Sequence, residues 1–307
     1  MSWSLSMLLL LAATAASALQ PVTTRRGALD AAAASSCAAA FGVVRRPAGA
    51  AVPLCDEAVS LLRKGDQEVF LVGTAHVSKY SAQLVADTID AVKPTLIMVE
   101  LDAKRVSGFG GTADAPAKKL PPANLGQRVG AFLVGSVLKR MYASLDKLGL
   151  DTGAEFSVAL QLARDGAVPL LLADRDVDET LRRLSDAVRA TTSDELERFD
   201  AAIGASLASQ LSAKIDDKDA VAASVELIKK RDTVRKLVGG LKDNVPELYE
   251  ALVDSRDAYM TASLLDRLAA TGRGPQRVVA VVGMAHEDGI SSRLAARGFV
   301  PKKTCAA

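Results

Sequence analysis

The chain is poor in the residues that most often carry chemistry. Its 307 residues include two histidines, three cysteines and one tryptophan, and aromatics make up 4%. The cysteines, Cys37, Cys55 and Cys305, have neither a metal-ligand spacing nor the density of a disulfide framework. A single bridge between Cys55 and Cys305 would tie the two ends of the mature chain. A surplus of one charge is also missing: 38 Lys and Arg face 36 Asp and Glu. Four of those cations, Arg25, Arg26, Arg45 and Arg46, lie before residue 52 with Asp30 as the only acid there, which leaves 34 basic against 35 acidic side chains. Binding to nucleic acid rests on clustered Lys and Arg, so a nucleic-acid partner is not expected. Beyond the N-terminus no stretch is long and uncharged enough to cross a bilayer. The mature part is therefore expected to be soluble, without an integral span.

The N-terminus reads as targeting. An apolar run, Met7 to Ala13, leads to Ala16-Ser17-Ala18, a small-residue cleavage pattern, so residues 1–18 read as a signal peptide. Residues 19–51 are rich in Ala, Ser and Arg, as transit peptides are. The two together resemble the bipartite presequence of algae with secondary plastids. Arg25-Arg26 ahead of Ala31 to Val44 resembles a twin-arginine signal into the thylakoid lumen. Plastid import is the expected destination, with the secretory pathway as the alternative. Residues 52–307 then make a single domain, long enough to bury one α/β core.

Within that domain, short apolar runs alternate with helical periodicity. Glu68 to Gly73 reads as a buried strand. Leu84, Val85, Ile89 and Val92 recur at helical spacing, Ser78 is placed to cap that helix, and Pro94 stops it. Thr95 to Glu100 is a second buried strand, Ala167 to Ala173 a third and Arg277 to Val282 a fourth. A helix is expected over Ser157 to Arg164, and another around Ile290, Leu294 and Ala295, ending at Gly298. The pattern predicts an α/β fold, an open and mainly parallel sheet covered by helices. A large helical insertion is expected over about residues 179–268. Leu125 to Leu148 also has helical spacing with interspersed cations. A membrane-surface helix is one reading; a helix packed on the domain is preferred, because its apolar face is no larger than packing requires. Gly108 to Pro122 reads as a loop at the sheet edge.

The two histidines share one setting, Gly73-Thr74-Ala75-His76 and Gly283-Met284-Ala285-His286, each at the end of a strand-like run. Histidine is the side chain most ready to move a proton or hold a metal near neutral pH. In open α/β sheets ligands sit beyond the carboxyl ends of the strands. His76, Glu100 with Asp102, Asp174 with Arg175 and Asp176, and His286 all fall at such ends. Two chemistries fit. His76, Glu100 and His286 could hold one divalent metal that activates water. Without a metal, one histidine would act as a general base, oriented by Glu100, with Arg175 or Arg105 steadying negative charge.

The motifs resemble those of the TraB/PrgY family of pheromone-shutdown-related proteins. Val72 to Ser78, Val99 to Asp102 with Arg105, and Gly153-Ala154-Glu155-Phe156 fall in family order. Leu172 to Asp176, Ser255-Arg256-Asp257, and Val281 to His286 followed by Gly289-Ile290 continue it. The resemblance covers about Val69 to Phe299. It places the chain beside Tiki-type proteases, erythromycin-esterase-like hydrolases and the haem-binding ChaN. It implies a peptidase-like, metal-dependent hydrolase centred on His76, Glu100 and His286, with the metal held by the same three residues. Arg105, Glu155, Asp174, Arg175 and Arg256 are the implied supporting residues, touching substrate or the central three. The expected partner is a peptide or small-molecule substrate. The alternative is a non-catalytic protein that sequesters a peptide or a haem-like ligand.

Overall fold

A computed structural model describes residues 54–75, 79–108, 123–133, 135–136, 153–207, 230–272 and 274–304. Six strands form one sheet in the order β4-β3-β5-β2-β1-β6. They are β1 (Val59–Lys64), β2 (Gln67–Thr74), β3 (Leu96–Val99), β4 (Leu170–Leu172), β5 (Gln276–Gly283) and β6 (Val300–Lys302). The neighbours β4, β3, β5 and β2 pair in parallel. The edge is antiparallel: β1 pairs with β2, and β6 with β1. The expected open, mainly parallel α/β sheet is therefore present. Strands β1 and β6 are additions to those read from sequence; β1 turns into β2 through Gly65, whose φ of +56° suits glycine.

Ten helices, among the described residues, fill the rest. They are α1 (Lys79–Val92), α2 (Ala103–Gly108), α3 (125–133), α4 (Ala154–Asp165), α5 (Val177–Ala190), α6 (Ser193–Leu207), α7 (Arg231–Asn244), α8 (Pro246–Tyr249), α9 (Ser255–Ala270) and α10 (Met284–Ala295). A π-helical turn, Glu250–Asp254, joins α8 to α9.

Because strand side chains alternate between faces, each central strand feeds two cores. Phe70, Val72, Ile97, Val99, Val279 and Val281 point to one face, against Val85 and Ile89 of α1 and Phe156 and Val158 of α4. Val69, Leu71, Met98, Val278 and Ala280 point to the other, against Leu264 of α9 and Leu294 of α10. Burial on both faces is why these strands read as continuous apolar runs. The helices α5 to α8 have a separate core around Leu184, Phe199, Leu237, Leu241 and Leu252.

Two expectations change. The third strand is shorter than its apolar run, Leu170–Leu172 only, because it is an edge strand with a single neighbour. Helix α3 does not bury its apolar side: Leu125, Val129, Phe132 and Leu133 are all exposed. The N-terminal 51 residues, Ser78, and most of the Gly108 to Pro122 loop lie outside the described residues, as do 137–148 of the Leu125 to Leu148 segment and 208–229 of the helical insertion. Cys55 is disulfide-bonded; Cys37 and Cys305 lie outside the described residues.

Ile97 is fully buried in the central strand β3. Ile97→Ala is expected to cost about 2–5 kcal/mol in denaturant unfolding. Val300→Ala, on the exposed edge strand β6, is expected to stay within about 0.5 kcal/mol.

Candidate functional site

Register brings the two glycine motifs together. Strands β2 and β5 are parallel neighbours, with Thr74 opposite Gly283. The segments Gly73-Thr74-Ala75 and Gly283-Met284-Ala285 therefore leave the sheet side by side. Thr74 Oγ1 donates to Val282 O at 3.2 Å, and Ser81 Oγ accepts from Ala75 N–H at 3.1 Å. A Cβ at Gly73 would lie 2.8 Å from Met284 Sδ and 3.0 Å from Glu287 Oε2, so those side chains would have to shift to admit one. His76 itself lies outside the described residues.

Strand β5 runs straight into α10, so His286 sits in that helix's first turn and is fully buried. Its Nδ1 is 2.6 Å from Asp257 Oδ1. Its Nε2 is 3.2 Å from Glu100 Oε1 and 3.0 Å from Arg256 Nη1. Glu100 follows β3 directly, its N–H donating to Val281 O at 3.1 Å. Its Oε2 accepts from Gly283 N–H at 2.6 Å, and its Oε1 accepts from Arg256 Nη2. Glu100 thus ties the end of β3 to the start of α10.

Arg256, in the first turn of α9, is the largest fully buried side chain. Its Nη2 also donates to Asp174 Oδ2 at 2.7 Å, and its Nη1 lies 3.3 Å from Leu252 O in the π-helical turn. Asp174, just after β4, accepts in addition from Arg105 Nη2 at 2.7 Å. Arg105 Nε donates to Asp102 Oδ1 at 2.9 Å. Asp102 caps two helices: Oδ1 accepts from Arg105 N–H in α2 at 2.9 Å, and Oδ2 from Val177 N–H in α5 at 2.6 Å. Arg175 turns away from this group. It donates to Thr180 Oγ1, Ser255 Oγ and Ala251 O at 3.0, 2.7 and 2.7 Å, holding the π-helical turn.

The structure therefore joins Glu100, Asp174, Arg105, Arg256 and His286 in one buried network, places Arg175 beside it, and puts Glu155, fully buried, in the first turn of α4. The guanidinium on Glu100 and His286 belongs to Arg256, not to Arg105 or Arg175. Sequence reading quoted Asp257 in the Ser255-Arg256-Asp257 motif but gave it no role in the site. Gly289, quoted there only as part of a motif, is where a Cβ would stand 1.8 Å from Asp257 Oδ2. The signal was the rarity of histidine: a buried imidazole needs a partner on each nitrogen.

Charge follows the geometry. Glu100, Asp102, Asp174 and Asp257 face Arg105, Arg175 and Arg256, so an imidazolium at His286 balances this set. Burial and the like charge of Arg256 oppose that charge, but Glu100 and then Asp257 outweigh them and raise His286 from 6.5 to about 9. Burial also raises Asp257, with His286 pulling the other way; the pair holds a proton between them at neutral pH. Asp174 is buried too, yet Arg256 and Arg105 hold it below the usual carboxylate range. Arg175 is lowered to about 10, first by burial and then by the like charge of Arg256.

The geometry also tests the metal. A shared cation would have to contact Glu100 Oε1 and His286 Nε2, and Arg256 already bridges those two atoms through Nη2 and Nη1. Glu100 Oε2 is committed to Gly283. The described residues as arranged do not fit a divalent ion between Glu100 and His286.

Removing Arg256 would leave Glu100 and Asp174 buried without their shared guanidinium, so Arg256→Met is expected to cost about 3–5 kcal/mol. Because His286 is raised when folded, its contribution to stability is complete below pH 6.5 and is lost as pH rises through about 9. Urea unfolding between pH 6.5 and 9.5 is expected to show that decline, and His286→Gln to flatten it.

Similar proteins bear on the identity of this arrangement. The model of the TraB/PrgY/gumN family matches residues 58–303. An uncharacterised protein of Methanocaldococcus jannaschii is 32% identical over 227 residues, 73% of this chain and 52% of its own length. A human TraB domain-containing protein is 30% identical over 253 residues, 75% of this chain and 63% of its own length. The bovine protein of the same name is 28% identical over 253 residues, again 75% of this chain and 63% of its own length. The chain thus spans between half and two thirds of the length of these relatives. It belongs to the TraB/PrgY/gumN family.

Proposed function

We propose that this chain is a hydrolase of peptide-like or ester substrates, working at the carboxyl edge of its sheet through proton transfer at His286. The supporting observation is that the imidazole is held from both sides: Asp257 at Nδ1, and Glu100 with Arg256 at Nε2. A carboxylate on Nδ1 fixes the tautomer and orientation of a working histidine. With one proton, on Nδ1, the ring donates to Asp257 and accepts from Arg256. With a second, Nε2 donates to Glu100 instead. Nε2 is therefore the atom that gains and loses a proton.

With His286 raised to about 9, the resting form at neutral pH is the imidazolium, so the ring begins as a proton donor to a leaving group. Glu100 is the neighbouring carboxylate that can take a proton from attacking water. Arg256 supplies a fixed positive charge for the oxyanion that forms.

The test is turnover on a panel of peptides and esters by the full chain. His286→Ala, Glu100→Gln and Asp257→Asn are each expected to lower kcat about 10²- to 10⁴-fold, with folding checked by circular dichroism. Undiminished turnover in all three would remove this site from catalysis. The metal-dependent form of the reading is tested alongside: a stoichiometric divalent ion in the active protein, lost in Glu100→Gln and His286→Ala, would restore it. The proposed destination is the plastid. A fluorescent protein fused after residue 52 is expected to enter plastids, and its export to the medium would contradict this.

A further inference from the structure

We propose that α3 is a docking face for an anionic lipid surface. Leu125, Val129, Phe132 and Leu133 recur at helical spacing on one arc of this helix. All four are exposed, Leu125 by 75% and Phe132 by 73%. The opposite arc is the packed one. A Cβ on Gly130 would stand 1.9 Å from Ser185 Oγ of α5, and one on Gly126 would stand 3.2 Å from Arg189 Nη1. Gln127 Nε2 donates to Asp186 Oδ2 at 3.0 Å. The helix therefore sits on α5 through its small residues and turns its large apolar ones outward. A packed surface helix normally does the reverse. Contiguous apolar side chains left outward mark an interaction site.

Charge selects the occupant. Residues 115–145 contain no Asp or Glu, and they carry Lys118, Lys119, Arg128, Lys139 and Arg140. Of these, Arg128 belongs to the described helix and is exposed beside Phe132. An outward apolar arc that carries an exposed arginine, within a stretch of sequence free of acids, has the make-up of a helix that lies in the plane of an anionic bilayer, with apolar side chains in the acyl boundary and cations among the headgroups. Among the described residues no helix is long and apolar enough to cross a membrane. The proposal does not depend on the chemistry at His286.

A tryptophan on the face reads the contact locally. The one native tryptophan is Trp3. In full-length Trp3→Phe/Phe132→Trp, emission is expected to shift to the blue with phosphatidylglycerol-containing vesicles and to be quenched by brominated acyl chains. With phosphatidylcholine alone the spectrum should stay put, and 0.5 M salt should reverse the shift. Val129→Ser/Leu133→Ser, on exposed positions that leave folding intact, is expected to weaken the response about tenfold or more. Emission unmoved by either vesicle would overturn the proposal. So would emission already blue-shifted without lipid: if independent of protein concentration, the chain covers its own helix; if rising with it, a second copy does.

Discussion

The guanidinium of Arg256 is the contact on which the rest of the site depends. It joins Glu100 after β3, Asp174 after β4 and His286 in α10, three elements that the chain visits far apart in sequence. A single planar cation with several donors can do this where a lysine cannot. Its burial is tolerable only because carboxylates surround it, and their burial only because it is there. The π-helical turn before α9 belongs to the same arrangement. Its extra residue loosens the carbonyls of Ala251 and Leu252, which then accept from Arg175 and Arg256.

A second constraint is the register of β2 against β5. Thr74 faces Gly283, so the two glycine motifs turn off the sheet as neighbours. Parallel pairing in a sheet covered by helices places every relevant strand end on one edge. From that edge Glu100 and Asp174, just beyond their strands, and His286, in the first turn of α10, come within reach of one arginine.

Much of this was legible in the sequence, and the gaps have physical causes. Strands β2, β3 and β5 were readable because burial on both faces makes them uninterrupted apolar runs. The edge strand β6 and its neighbour β1 were not, since β6 is exposed throughout and β1 carries Arg63 and Lys64 at its exposed end. Among site residues, Glu100, Asp174 and His286 were legible because they stand immediately beyond strand ends. Arg256 was named through its motif, but its central place was not, because it projects from a helix whose position over the strand ends no local pattern encodes. The role of Asp257 was missed for the same reason. The apolar residues of α3 had the right period, but a period does not say whether a helix turns that face inward or outward.

The central claim is that Asp257, Glu100 and Arg256 govern the proton on His286. The most direct measurement is an NMR titration of the imidazole nitrogens. With only two histidines in the chain, comparison with His76→Gln assigns both rings. The account predicts that the His286 resonances titrate near pH 9, with Nδ1 remaining protonated above that point. Titration of His286 at or below 6.5, or a deprotonated Nδ1 at high pH, would contradict it.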